Sequence, residues 1–409
     1  MRQVLQIALG ILAAIGGFVD IGDLVFNVQS GGLFGYQLIW AMIVGLIGII
    51  VYAEMSGRVA AVSGRAVFDV IRERTGFLTG LICLCATEIV CVMTLAAECG
   101  GVALALRLLT GLPYQLLIPP SILAIGLIIA LLPFDWIERV FGYIGLALLV
   151  FAVAAVVERP DWVGLAGGFV PSLNTEKPLL YLYFAVGLIG TTMSPYEVHF
   201  YSSGGIEDEW SPQDLNLNRV TAFLGFGLGA LLSLSLIVVS TELFHPVGIK
   251  PEFLGTSTLA ALTPLGIIGF GLALLGTLFA VGGAAVETAM AGAYSLAQFL
   301  GWQWGKFKGA HEAPRFTIAW VVFLAVAFLI IITGVDPVQV TEYAVIFAAV
   351  ALPLTYLPIL LVANDKTYMG RYRNGPLANV FGWAYLVIVT IVALAAIPLL
   401  VITGAGTQG

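Results

Sequence analysis

The chain has 409 residues, 60% hydrophobic and 10% charged, with a formal net charge of −7. A soluble domain carries about 25% charged residues, so a soluble globular fold is excluded, and with no basic patch so is a nucleic-acid-binding class. Spans of about 20 residues leave room for roughly ten to twelve membrane helices, and the apolar runs are continuous rather than alternating, which excludes a β-barrel.

The first apolar run, 4–30, is interrupted by Asp20-Ile21-Gly22-Asp23. No Lys or Arg lies between Arg2 and Arg58. Carboxylates at membrane depth are costly and mark function by default, so their partner is expected to be a cation from outside the protein. A cleaved signal peptide is not expected, because the run continues past Asp23 with no small-x-small site. Further spans fall near 36–55, 77–108, 114–132, 137–157, 178–203, 220–243, 264–299, 316–334, 341–363 and 379–403, eleven in all.

Cys83, Cys85, Cys91 and Cys99 all lie in the third run. A C-x-C pair without a nearby His reads as buried free thiols rather than a metal site. The sixth span repeats the oddity of the first: Ser194-Pro195-Tyr196-Glu197 sets a helix breaker beside a carboxylate. Pro removes a backbone donor and clashes with the preceding turn, and Gly22 weakens the first span in a similar way. Two interrupted helices, each opening a five-span half, point to an inverted-repeat transporter whose unwound segments meet near the midplane. The expected fold is therefore an all-α polytopic membrane protein of eleven helices, a LeuT-type 5+5 inverted repeat with helices 1 and 6 broken. Its single transporter domain, 1–409, divides into a first repeat 1–157, a second repeat 178–363 and an additional helix 379–403. The bland alternative is a Gly kink and a Pro kink with incidental acids.

If the broken helices face each other, Asp20, Asp23, Ser194 and Glu197 converge as metal ligands, with Val19 and Thr191 as candidate backbone ligands. Three carboxylates cannot all stay ionised together without a cation or partial protonation. Oxygen-only ligation suits Mg²⁺, Ca²⁺ or Mn²⁺. Met193 and His199 read as packing residues. Glu98 and Glu287 are candidate pathway acids, and Glu207-Asp208-Glu209 reads as a solvated turn.

Across nearly its whole length the chain resembles the Nramp divalent-metal transporters. The family's first-span motif Asp-Pro-Gly-Asn appears here as Asp20-Ile21-Gly22-Asp23. Its sixth-span Met-Pro-His-Asn appears as Ser194-Pro195-Tyr196-Glu197, with Tyr201-Ser202 where the family has His-Ser. Weaker matches are Phe34-Gly35-Tyr36 with Leu38-Ile39-Trp40, Leu352-Pro353 with Pro358, and Asn364-Asp365-Lys366 with Met369-Gly370. The resemblance implies the inverted-repeat fold and proton-coupled uptake of Mn²⁺ or Fe²⁺ in typical members, with the ion as substrate and no cofactor. The family's metal-binding Asp is kept as Asp20, whereas its thioether Met is Ser194 and its two Asn are Asp23 and Glu197. Aligning Glu98 with the third-span Glu puts Leu95 at the family's Asp, and the sixth-span His is Tyr201. These departures resemble the Nramp-related magnesium transporters: a harder, more negative site for Mg²⁺ and also Mn²⁺, roomy enough for an ion that keeps its waters, with weak or no proton coupling. The alternative is a proton-coupled Mn²⁺ importer of ordinary type, with Glu88, Glu98 and Glu287 as another proton path.

Two neighbouring classes fit worse. An amino-acid carrier would present these acids to a substrate carboxylate, and an intramembrane aspartyl protease needs G-x-G-D, where position 20 is Asp. The chain is therefore not expected to be an enzyme, and its partners are the metal ion and the lipid bilayer, with no obligate protein partner. Thirteen of the seventeen Lys and Arg fall on one side of the predicted spans, leaving Arg107, Arg159, Lys177 and Lys250 on the other. By the positive-inside rule the N-terminus is cytoplasmic and the C-terminus outside, in a prokaryotic inner (plasma) membrane.

Overall fold

The computed structural model describes residues 20–173, 175–251, 258–259 and 261–406. Among them every regular element is helical. In an apolar solvent only structures that satisfy their own backbone hydrogen bonds can span, and helices do so within one segment. Among the described residues ten stretches are long and apolar enough to cross a membrane. The hydropathy pattern suggests eleven. The first stretch, Ile21–Ser63, is a run of two helices joined by a 3₁₀ turn over what the pattern divides into the first and second spans, and residues 4–19 lie outside the described residues.

Within that run, α1 (Ile21–Phe34) ends at Gly35, whose φ of +59° suits a residue without a Cβ, and α2 (Ile39–Ser63) follows after a 3₁₀ turn. A short helix α3 (Val67–Thr75) leads into α4 (Phe77–Thr110). Next come α5 (Tyr114–Leu131), α6 (Phe134–Gly145) and α7 (Leu149–Val157), the last two joined by a 3₁₀ turn within the predicted fifth span. A single-turn-scale helix α8 (Trp162–Gly167) precedes α9 (Pro178–Thr192) and α10 (Pro195–Glu207). The remaining elements are α11 (Leu215–Leu243), α12 (Leu262–Leu300), α13 (Pro314–Ile331), α14 (Pro337–Asn364), the short α15 (Lys366–Met369) and α16 (Pro376–Thr403).

The sixth predicted span is broken where Pro195 places it: Met193 and Ser194 leave helical geometry between α9 and α10. Pro195 starts α10 at its first position, where the missing N–H costs nothing.

The centre of the bundle is α1 and α9–α10, surrounded by α2, α4, α11, α12 and α14. Small residues let these helices approach. A Cβ on Gly45 of α2 would sit 2.6 Å from Thr192 Cβ, and one on Gly101 of α4 would sit 2.6 Å from Ile21 Cδ1. Phe26 of α1 packs on Tyr183 and Phe184 of α9 at ring separations of 6.0 and 5.6 Å.

Two local expectations are corrected. All four cysteines are free, but Cys85 is exposed while the other three are buried; on a lipid-facing helix a thiol serves as an ordinary small apolar group. In the acidic turn Asp208 and Glu209 are exposed as expected, but Glu207 is half-buried: its Oε1 accepts from the Lys306 backbone N–H at 2.6 Å, and the neighbouring Asp208 lies 3.5 Å from Lys306 Nζ.

Candidate functional site

Asp20 is the N-cap of α1. Its backbone is extended (φ −84°, ψ −179°), and its Oδ1 accepts from the Asp23 N–H at 2.9 Å. That bond satisfies one of the four orphan donors at a helix start and fixes the carboxylate over the end of the helix. Its Oδ2 accepts from the Tyr196 hydroxyl of α10 at 3.4 Å. The Asp-x-Gly-Asp stretch thus works locally as a cap, with the glycine admitting a close neighbour: a Cβ on Gly22 would lie 2.6 Å from Thr191 Oγ1 and 2.9 Å from Val345 Cγ2.

At the break between α9 and α10, the helical partner of the Thr191 carbonyl would be the N–H of residue 195, which proline lacks. The Ser194 hydroxyl takes its place and donates to Thr191 O at 3.0 Å. The Met193 carbonyl accepts from the Tyr356 hydroxyl of α14, whose ring stacks on Tyr52 at 4.2 Å. Glu197 sits in the first turn of α10, as Asp23 does in α1, where the helix dipole favours a negative charge.

The structure brings Asp20, Thr191 and Ser194 to one small cavity of about 10 Å³, also lined by Gly22, Thr94 and Thr341. Asp23 and Glu197 do not line it. The Asp23 Oδ1 instead accepts from Asn27 Nδ2 at 3.2 Å and from the Ser233 hydroxyl of α11 at 3.5 Å. Glu197 is buried on α10 and within electrostatic reach of Asp20, Asp23, Glu287 and Glu98. Among the described residues no three His, Cys, Asp or Glu side chains converge closely enough to hold a metal ion together. Val19 lies outside the described residues. The pocket is also tighter than the roomy site expected from sequence, since 10 Å³ accommodates about one water-sized sphere.

Four buried oxygens around the start of α1 and the α9–α10 break have no hydrogen-bond partner: Asp23 Oδ2, Thr191 Oγ1, Glu197 Oε2 and Glu98 Oε2. None of Asp20, Asp23, Glu98 and Glu197 forms an ion pair among the described residues. Buried acceptors are almost always paired in native proteins, so this array of oxygens calls for a cation. Glu98 Oε1 accepts from the Thr288 hydroxyl at 3.1 Å, and Glu287 is half-buried nearby on α12. Met193 is fully buried against Gly48, where a Cβ would meet its thioether at 2.5 Å. His199 is buried with its ring edge-on to Phe68 at 4.8 Å, and neither ring nitrogen has a partner.

Sequence reading missed Tyr196 as the donor to Asp20, and Thr94, Thr341 and Ser233 as polar neighbours of the acids. Asn27, four residues after Asp23, was the one neighbour with a local signal.

An all-helical bundle with a broken helix at its centre, and buried oxygens left unpaired around the break, defines a membrane protein of the transporter type. The model of the natural resistance-associated macrophage protein-like (Nramp) family matches residues 10–398, and the chain belongs to that family. The chain is similar to the divalent metal cation transporter MntH of Deinococcus radiodurans, at 28% identity over 93% of this chain and 86% of that protein. It is also similar to the divalent metal cation transporter MntH of Aeromonas hydrophila, at 26% identity over 94% of this chain and 93% of that one. Among solved structures, a mutant of the Eremococcus coleocola manganese transporter superposes with a TM-score of 0.75 at 21% identity, covering 96% of this chain and 86% of that one. Mhp1, a nucleobase-cation-symport-1 family transporter, superposes with a TM-score of 0.59 at 19% identity, covering 96% and 91%. These likenesses show the LeuT-like fold expected from the two interrupted helices.

Proposed function

We propose that this protein carries divalent metal cations across the membrane and takes hard ions, Mg²⁺ and also Mn²⁺, with weak or no proton coupling. The observation that carries the reading is the set of buried, unpartnered oxygens around the start of α1 and the α9–α10 break, with no ion pair to neutralise them among the described residues. Relatives named as divalent metal cation transporters support the substrate class. The preference for hard ions rests on chemistry. Met193, the sulfur nearest the break, packs against Gly48, so Ser194, Thr191 and Asp20 offer oxygen alone, which suits Mg²⁺ and Mn²⁺ over softer metals. Asp20 is the ligand we place first, joined by Ser194 and the second lone pair of the Thr191 carbonyl. Asp23 and Glu197 join when the helices part, as an ion that keeps several waters requires. The two repeats are 1–157 and 178–363, with α16 packed outside them.

The test is uptake of Mg²⁺ and Mn²⁺ into liposomes with internal pH recorded. Both ions should enter without lumenal acidification, Asp20→Ala should abolish uptake of each, and Ser194→Met should shift preference toward Mn²⁺ and Cd²⁺. Uptake of Mn²⁺ that excludes Mg²⁺ and acidifies the lumen would replace this reading with a proton-coupled importer.

A further inference from the structure

Arginines that lie far apart in the chain gather in the fold around a pocket lined by none of the candidate site's residues. It is open, about 370 Å³, and lined by Glu54 and Arg58 of α2, Arg219 of α11, and Arg371, Arg373 and Gly375 of the turn that leads into α16. The sequence shows no basic patch because these residues come from three separate segments. Glu54 is the one acid in the lining, and it is already engaged: its Oε1 lies 3.1 Å from Arg58 Nε and 3.6 Å from Arg219 Nε. Arg58 also donates to the Tyr372 carbonyl at 2.7 Å and to Asn374 Oδ1 at 2.6 Å, which fixes the turn as a wall of the pocket. Arg371 lies over the Tyr372 ring at 4.8 Å and donates to its hydroxyl at 2.6 Å. Arg373 is exposed and forms no hydrogen bond or ion pair among the described residues. Four guanidinium groups against one carboxylate leave a surplus of positive charge, in the planar, forked form that matches phosphate oxygens. Gly375 caps the first turn of α16, whose orphan N–H groups add to the attraction for an anion.

The surroundings say where that anion comes from. Directly beyond Arg219, Val220 and Phe223 of α11 are 39% and 64% exposed, and beyond Gly375, Leu377 and Val380 of α16 are 71% and 65% exposed. On membrane helices such side chains face hydrocarbon. The pocket therefore sits where two lipid-facing helices begin, at headgroup level. We propose that it binds the phosphate of an anionic phospholipid, held by Arg371, Arg373 and Arg219, with the acyl chains lying along α11 and α16. Basic pockets between membrane helices recognise headgroups in this way.

Thermal unfolding of the detergent-purified full chain tests this, with phosphatidylglycerol, phosphatidylcholine or inorganic phosphate added in separate arms. Phosphatidylglycerol should raise Tm by about 3 °C or more, and the other two should not. The double variant Arg371→Gln/Arg373→Gln should lose most of that rise. If the double variant does not fold, Arg373→Gln alone, at an exposed and unbonded side chain, carries the comparison and should lose at least half. An equal rise with phosphatidylcholine, or one that survives the substitutions, overturns the site. A full rise with inorganic phosphate overturns the lipid as its source. The readout is binding, so failure here leaves the transport reading untouched, and loss of metal uptake would leave this site standing.

Discussion

At position 22 the absence of a side chain matters more than backbone freedom. A Cβ there would stand 2.6 Å from Thr191 Oγ1 and 2.9 Å from Val345 Cγ2. Both neighbours are β-branched and stiff at χ1, so neither can swing aside cheaply. Two effects compete in Gly22→Ala: relief of glycine's conformational entropy, worth about 0.5–1 kcal/mol in a helix, and overpacking, which costs about 1–3 kcal/mol. Overpacking should win, lowering Tm and displacing Thr191 from Asp20, so that metal uptake falls at least tenfold. Gly227→Ala on α11 is the control. Nothing lies within 4 Å of its added Cβ, so the entropy gain stands alone and Tm should stay level or rise. Equal Tm changes in the two variants would show that the close approach of α1 to α9 is not what demands glycine.

At the scale of elements, what could be read from sequence was what the chain arranges locally. Pro195 stops a helix through its own ring, and Asp20 caps one through a donor three residues away. The contacts that complete the site are not local. Tyr196 reaches Asp20 across 176 residues and Ser233 reaches Asp23 across 210, and no period or motif encodes such pairs. The same limit explains Glu207, which reads as a solvated acid until the Lys306 backbone closes on it. The short helix α3 holds a testable case outside the membrane spans. Burial pushes the Asp69 carboxyl up to about 6, with Arg65 and Arg72 pulling the other way. The folded protein then keeps a proton that the unfolded chain releases near 3.8, so stability falls as pH rises from about 4 to 6, and the full penalty persists above that. Asp69→Asn removes the penalty. Discounted for partial exposure, the variant should be more stable at pH 7.5 by on the order of 1 kcal/mol and should match the wild type near pH 4. Thermal unfolding at both pH values checks it, and a gain that is the same at both would rule out the titration of Asp69 as its cause.

Across the whole molecule, the basic segments grouped by the positive-inside count are joined by contacts. Arg74 pairs with Asp365, Tyr368 donates to Glu73 at 3.3 Å, and Arg58 bonds the 372–374 turn, so 65–74, 219 and 365–373 share one face. On the opposite face Lys250 Nζ donates to the Gly406 carbonyl at 2.6 Å, which places the end of α16 with the sparse cations. Between Lys177 and Lys366 the described residues include five stretches long and apolar enough to cross a membrane, Pro178–Glu207, Leu215–Val247, Leu262–Leu300, Pro314–Ile331 and Pro337–Asn364. An odd number forces these two exposed lysines to opposite sides of the bilayer, whichever way the protein inserts. The charge bias then decides which side is which, because Lys366 lies among the basic residues that resist translocation. In a variant with its four cysteines replaced by serine or alanine, Lys366→Cys should react with a membrane-impermeant maleimide only from the cytoplasmic side, and Lys177→Cys only from the outside. Exchange of the two patterns would invert the orientation while keeping the fold. Reaction of both from one side would mean that one of the five passages does not cross, and the two halves could then not be inverted repeats.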